Sequence, residues 1–174
     1  EYIAKYPWSP RLDQAYSYLG MAFVESRNYA RALEVLSQIK QRSALTRRAL
    51  QRASYLRGVE LFQNLRFKEA EALFSQAMEY QEQDPHIRAL TLFWRGEAHY
   101  RQENYALAAK DWRDFQKAPG AFNLKEEYNQ SLYNLGYAYY QMEEYGEAEK
   151  CFRGYAERKE NERPLRIETY NRAG

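Results

Sequence analysis

Cysteine is nearly absent from this 174-residue chain, which has only Cys151, and histidine is limited to His86 and His99. The single cysteine excludes an internal disulfide and any multi-cysteine metal site, and the set leaves little for thiol or imidazole chemistry. Five prolines and eight glycines are too few for a turn-rich fold and favour long helices. A run of about 20 apolar residues is also missing, so no membrane insertion is expected. Charge of one sign is missing too: 26 Lys+Arg face 24 Asp+Glu, a net charge of +2. Such a balance offers no general attraction to nucleic acid or anionic lipid, and no nucleic-acid partner is expected. The chain does hold 45% hydrophobic and 29% charged residues, a composition that argues against disorder. Tyrosine is the unusual abundance, at 17.

Four segments align on glycine: SYLGMAF, YLRGVELF, FWRGEAHY and YNLGYAYY. Their glycines are Gly20, Gly58, Gly96 and Gly136, and Gly174 makes a fifth, at spacings of 38, 38, 40 and 38. Nine residues after the first four stand Tyr29, Phe67, Tyr105 and Tyr145. Twelve after stand Ala32, Ala70, Ala108 and Ala148. Sixteen after stand Leu36, Phe74, Trp112 and Phe152. A short polar turn (SRN, NLR, QEN or MEE) precedes each aromatic, and apolar residues recur at helical spacing on both sides. Each unit therefore reads as a helical hairpin, helix A then helix B, with Gly and Ala at a close crossing. The aromatic covers the hairpin's end, and the large residue is expected to fill the space between units. One hairpin cannot bury its apolar face alone, so the units are expected to stack into a solenoid. The helices fall at about 11–25, 28–40, 45–64, 67–81, 85–102, 105–117, 124–142 and 145–159, with a further one from 164.

With Tyr16, Leu19, Gly20, Phe23, Ala32 and Leu36 in the first unit, and Leu132, Leu135, Gly136, Tyr139, Ala148 and Phe152 in the fourth, the chain resembles the tetratricopeptide repeat (TPR) family. The resemblance covers essentially the whole chain. It implies an all-α, right-handed solenoid of antiparallel hairpins. The units are 11–40, 45–81, 85–117 and 124–159, with residues 1–8 ending a preceding helix B and 164–174 forming half of a fifth unit. The chain opens on Glu1 without Met and is expected to be a piece of something longer, cut mid-repeat at both ends. Two departures stand out. Arg57 and Arg95 replace the leucine before glycine, and the period exceeds the usual 34. The Gly-to-Ala distance is constant, so the extra residues, about one helical turn, lie at the B-to-next-A junction. In the third unit Pro119 and Gly120 stop a helix. The phrase KYPWSPRLDQAYSYLG is similar to long-period repeats of bacterial cell-envelope TPR proteins and of large Bacteroidetes repeat proteins. A periplasmic or envelope-associated location follows from that likeness alone; the alternative is cytoplasmic.

The resemblance implies that helix A lines a concave groove at positions three before and one, four and five after the glycine. The partner-binding set is then Tyr55, Val59, Phe62, Phe93, Glu97, Tyr100, Arg101, Tyr133, Tyr137 and Tyr140, with Arg52 and Arg101 as charged flanks. Two aromatic ladders result, Tyr55–Phe93–Tyr133 and Phe62–Tyr100–Tyr140. Tyrosine suits recognition, having large contact area, few rotors and a polar tip. The opposing reading is that the rings pack on one another as an inner core. Related domains that grip a C-terminal carboxylate carry Lys and Asn in these places. Here Ser17, Met21, Tyr55, Val59, Phe93 and Glu97 stand there, which disfavours that partner class.

No residue set points to catalysis, and no cofactor or metal is expected. His86 reads as a solvated helix start, His99 as an inward packing residue with a hydrogen bond, and Cys151 as an inert thiol. Glu143, Glu144, Glu147 and Glu149 read as a turn and an exposed helix face. The run Lys40, Arg42, Arg47, Arg48, Arg52, Arg57 carries no acid. It invites an anionic partner or is balanced by carboxylates such as Glu69, Glu71, Glu79 and Glu82. The expected function is non-enzymatic: a scaffold binding a protein or peptide segment in the groove. Alternatives are a sensory or regulatory ligand-binding domain, and the substrate-selecting arm of a larger enzyme. A cut solenoid exposes apolar ends, so weak end-to-end self-contacts through Tyr2, Ile3, Tyr6, Ile167 and Tyr170 are also expected.

Overall fold

The computed structural model describes residues 5–6, 8–9 and 11–162. Among them are eight α-helices: α1 Leu12–Glu25, α2 Tyr29–Ser37, α3 Ala44–Gln63, α4 Phe67–Met78, α5 Pro85–Arg101, α6 Tyr105–Lys117, α7 Lys125–Gln141 and α8 Tyr145–Glu162. A single 3-10 turn, Ala121–Asn123, precedes α7. Odd-numbered helices are the A helices and even-numbered ones the B helices of four hairpins. The half-unit expected at 164–174, its Ile167 and Tyr170, and Tyr2 and Ile3 at the other end lie outside the described residues.

Local chemistry explains the boundaries. Each A helix ends on the polar turn seven residues past its glycine. There Arg27, Leu65, Glu103 and Glu143 all take φ of 60–62°. The next amide closes a wide turn: Asn28 N donates to Phe23 O, and Arg66, Asn104 and Glu144 repeat the bond on Leu61, His99 and Tyr139. This left-handed close is the usual way a helix satisfies its last carbonyls before the chain reverses. At the other ends, Ser43 caps α3 by accepting from Thr46 N, and Asp84 caps α5 ahead of Pro85 by accepting from His86 N and Ile87 N. In the third unit α6 stops at Lys117, and Gly120 takes φ +87°, which favours glycine at that point. The extra residues of the long period divide between the B-to-A connections and additional N-terminal turns of the A helices, most in the 20-residue α3.

The hairpin contact is tighter than the spacing implied. A Cβ built on Gly20 would lie 2.5 Å from Leu36. On Gly58 it would meet Phe74 at 2.6 Å, on Gly96 Trp112 at 2.7 Å and on Gly136 Phe152 at 2.5 Å. The residue sixteen past the glycine thus packs on the glycine of its own hairpin, which corrects the expectation that it fills the space between units. The physical reason is distance: with no side chain on helix A, the large side chain of helix B lies directly on its backbone. Ala32, Ala70, Ala108 and Ala148 are all buried beside it.

Between units the core is continuous. One cluster joins units one and two, a second joins two and three, and a third joins three and four. Leu56 and Trp94 each touch two of these clusters. Each A helix touches the next A helix, whereas no B helix touches another B helix among the described residues. The A helices therefore line the inner, concave side.

The leucine substitutions are explained in opposite ways. Arg95 reaches helix B of its own unit, where Nε and Nη2 each donate at 2.7 Å to the carboxylate of buried Asp111, and it lies near Ser75 of the preceding unit. Arg57 instead pairs with Glu60 at 2.6 Å, near the surface.

A concave face with two cavities

The first expected ladder divides along its length. Tyr55 and Phe93 are 9% and 5% exposed, so they belong to the core and do not line the groove. The reason is that helix B of the same unit packs on each ring and each lies in a core cluster shared with the next unit. Tyr55 packs on Phe74 and shares its core cluster with Trp94 of the next A helix. Phe93 meets Phe115 of α6, which in turn meets Tyr128 of α7. Burial pushes the Tyr55 hydroxyl up to about 12, with the Glu127 carboxylate adding to it. Tyr133, in the fourth unit, is 37% exposed and packs on Phe152 and Tyr155.

The second ladder is open but is not a stack of its own members. Phe62 packs on Phe67, Tyr100 on Tyr105 and Tyr140 on Tyr145, at 5.1, 5.3 and 5.6 Å between ring centres. Each ring is clasped edge-to-face by the aromatic that opens its own helix B, and Phe62 and Tyr100 are further packed by Trp94 and Trp112, so that the rings are held in place and only partly covered. Phe62 and Tyr100 are half-buried and Tyr140 is exposed. Val59 is half-buried and Tyr137 exposed beside this row.

Two cavities open along the A helices. One, of about 260 Å³, lies between the first two units, lined by Met21, Val24, Glu25, Leu45, Arg48, Ala49 and Arg52. The other, of about 510 Å³, lies between the third and fourth. Glu97, Tyr100, Arg101 and Glu103 come from α5 and its turn, Tyr105 and Trp112 from α6, and Gln130, Tyr133, Asn134 and Tyr137 from α7. Leu45, Arg48, Ala49, Gln130 and Asn134 were missed by sequence reasoning, because the first four lie before the four pattern positions and Asn134 lies between two of them. The signal available was the lengthened N-terminal part of the A helices, which carries the concave surface further.

Charge is arranged differently in the two. In the first, Arg52 pairs with Glu25 at 3.0 Å and Arg48 with Asp84 at 3.6 Å. Arg42 donates to the Tyr80 hydroxyl. The basic run is thus met by Glu25, Glu60 and Asp84, not by the expected Glu69, Glu71, Glu79 and Glu82, because the helix that presents it faces the neighbouring A helix and the α4–α5 connection. Glu69 pairs with Arg66 instead. In the second cavity Glu97 accepts a hydrogen bond from Asn134, which itself accepts one from Gln130 at 2.8 Å. Loss of water raises the Glu97 carboxyl to about 7, against the smaller opposing pull of Arg101 and the Asn134 bond.

This shift has a consequence for stability. A carboxyl raised in the folded state binds more protons than in the unfolded chain between about 4.5 and 7. Folding stability should therefore fall as pH rises through that window. Wild type is expected to lose more melting temperature than Glu97→Gln between pH 5 and pH 7.5. Parallel curves for the two proteins in thermal melts would show that Glu97 ionises normally.

Elsewhere the chemistry is structural. His99 is buried as expected, but its hydrogen bond is not formed: Nε2 stands 3.6 Å from Asp111, and Nδ1 has no partner among the described residues. Asp111 is already engaged by Arg95. Burial lowers the imidazole pKa while Asp111 and Glu71 oppose it. Cys151 is half-buried, its thiol raised chiefly by burial. His86 is exposed at a helix start, and Glu143, Glu144, Glu147 and Glu149 are exposed as well. No group of His, Cys, Asp or Glu able to hold a metal occurs among the described residues. No described helix is long and apolar enough to cross a membrane.

Stacked helical hairpins with a concave face formed by one helix of each pair define a repeat solenoid. A profile of the tetratricopeptide repeat family matches residues 55–123 and again 95–163. The two matches are offset by 40 residues, the Gly96-to-Gly136 spacing, and together cover more than half of the chain. The chain belongs to the tetratricopeptide repeat family. Repeats of this family generally mediate protein–protein interaction, and its members are typically non-catalytic scaffolds. No curated protein matches the chain in a sequence search.

Proposed function

We propose that the chain is a scaffold that holds a segment of another protein along the concave face of its A helices. The observation that carries this reading is the row Phe62, Tyr100, Tyr140, three rings each held edge-to-face by the aromatic that opens its own helix B and each left partly open, Tyr140 most of all, although Trp94 of the next unit also packs on Phe62 and Trp112 on Tyr100. Packing alone would not leave Tyr140 exposed and the other two rings partly open in successive units. A rigid aromatic with few rotors loses little entropy when a partner covers it. Val59, Tyr133 and Tyr137 extend the surface, while Arg52, Glu97 and Arg101 supply its charge. The envelope location rests on the phrase-level likeness near the N-terminus, and weak end-to-end association on the expected end residues, of which Tyr6 is exposed.

Tyr140→Ala should weaken partner binding by about 2 kcal/mol while barely moving the melting temperature. Tyr55→Ala, in the core, should lower the melting temperature. A photo-crosslinking residue at Tyr137 in the intact protein, compared with one at exposed Arg113 on helix B, is the direct test. Adducts from position 137 and none from 113 are expected. Equal capture from both faces, or capture from 113 alone, would refute the groove.

A further inference from the structure

The cavity between the third and fourth units holds a carboxylate in an unusual setting. Glu97 is half-buried on α5, and no Lys or Arg comes within ion-pair distance of it among the described residues. At the other end of the same face Glu25 already has Arg52 at 3.0 Å. Glu97 has only the side-chain amide of Asn134, held in turn by Gln130. This chain of amides orients the carboxyl without neutralising it. A buried carboxylate is costly unless a cation or further donors meet it.

The walls supply the rest. Tyr100, Tyr133 and Tyr137 line the same cavity. Tyr133 donates to the Tyr137 hydroxyl at 3.2 Å, their rings 4.8 Å apart and nearly edge-to-face, so the pair is a fixed wall. Aromatic faces around a carboxylate attract a guanidinium or ammonium through the ring quadrupole, and more so when water is excluded.

We propose that this cavity receives one basic side chain, arginine or lysine, from the protein segment bound along the concave face. The assignment rests on the groove reading above and specifies what the partner must carry. Arg101, on the same lip, works against an incoming cation. The groups facing Glu97 are Arg101, Tyr100 and Glu103 from α5 and its turn, Tyr105 from α6, and Tyr133 and Tyr137 from α7. Of these, Glu97 is the carboxyl that burial has brought to about 7, so an entering cation would draw its proton off.

The test pans a randomised dodecapeptide library on the full chain and on Glu97→Gln and Arg101→Gln variants, each first shown to keep the wild-type circular-dichroism melt at pH 5, where Glu97 is protonated. Arginine or lysine should be enriched at one position of the peptides that bind wild type. The best such peptide should lose about tenfold or more in affinity on Glu97→Gln, and similarly when its basic residue becomes norleucine. Its affinity should rise between pH 6 and pH 8 on wild type and stay flat on Glu97→Gln. It should bind Arg101→Gln more tightly, a gain that a purely structural role would not produce. Peptides that bind in a Tyr140-dependent way but show no basic preference, that favour acidic residues, or that ignore Glu97→Gln would overturn the cavity assignment and leave the groove standing. Failure of wild type to bind any peptide would overturn both.

Discussion

Asp111→Ala should destabilise the fold by about 3 kcal/mol, because it leaves the Arg95 guanidinium buried without its carboxylate. The Asp111 side chain is 3% exposed and that of Arg95 18%, so water cannot readily replace the lost partner. The companion substitution makes the test specific. In unit one the two positions are Leu19 and Val35, an apolar pair. The double variant Arg95→Leu/Asp111→Val installs that pair in unit three. It should recover to within about 1 kcal/mol of wild type or exceed it, since apolar residues often replace a buried ion pair without loss. Urea-denaturation midpoints, with the slope checked for constancy, give the comparison. A double variant as weak as Asp111→Ala would mean that the pair holds unit two to unit three in a way apolar packing cannot, through Ser75.

Gly96→Leu and Ala108→Leu should each collapse the third hairpin, at about 3 kcal/mol or more. A Cβ alone on Gly96 would stand 2.7 Å from the Trp112 ring, and that ring is wholly buried with its Nε1 donating to Phe93 O at 3.2 Å. It has nowhere to move. A graded version separates packing from helix propensity. Gly58→Ala gains about 1 kcal/mol of propensity yet places a methyl 2.6 Å from buried Phe74. The clash should win, because a rigid ring in a full core cannot retreat by the required ångström. Gly154→Ala on α8 meets nothing within 4 Å and should stabilise by up to about 1 kcal/mol. Circular-dichroism melts of the four variants settle the order. A destabilising Gly154→Ala, or a neutral Gly96→Leu, would undo the account of these glycines.

Helices, turns and the small-residue crossing were legible because each is a local matter repeated four times. A polar triplet before an aromatic, a glycine and an alanine twelve apart, and apolar periodicity between them need only a few turns of chain to act. All four A helices, α1, α3, α5 and α7, began and ended within one residue of their expected bounds, while α2 and α4 stopped three residues earlier than the spacing implied. The site was less legible. Tyr55, Phe93 and Tyr133 occupy one repeat position and look alike in sequence, yet two are core and one is surface. Asn134 and Gln130 fall outside the pattern positions, and nothing nearby in the chain marks them as the support of Glu97.

By itself, the sequence determined the hairpin, its period and the family, because these follow from contacts within some forty residues that recur in register. It also determined that Gly20, Gly58, Gly96 and Gly136 share one role. Only the tertiary structure decided which aromatics are covered, since the burial of a ring on an A helix depends on the neighbouring unit as well as on its own helix B. The same holds for the union of Arg95 with Asp111 and for the half-buried setting of Glu97, where the energy of a charge is set by the groups that stacking brings around it.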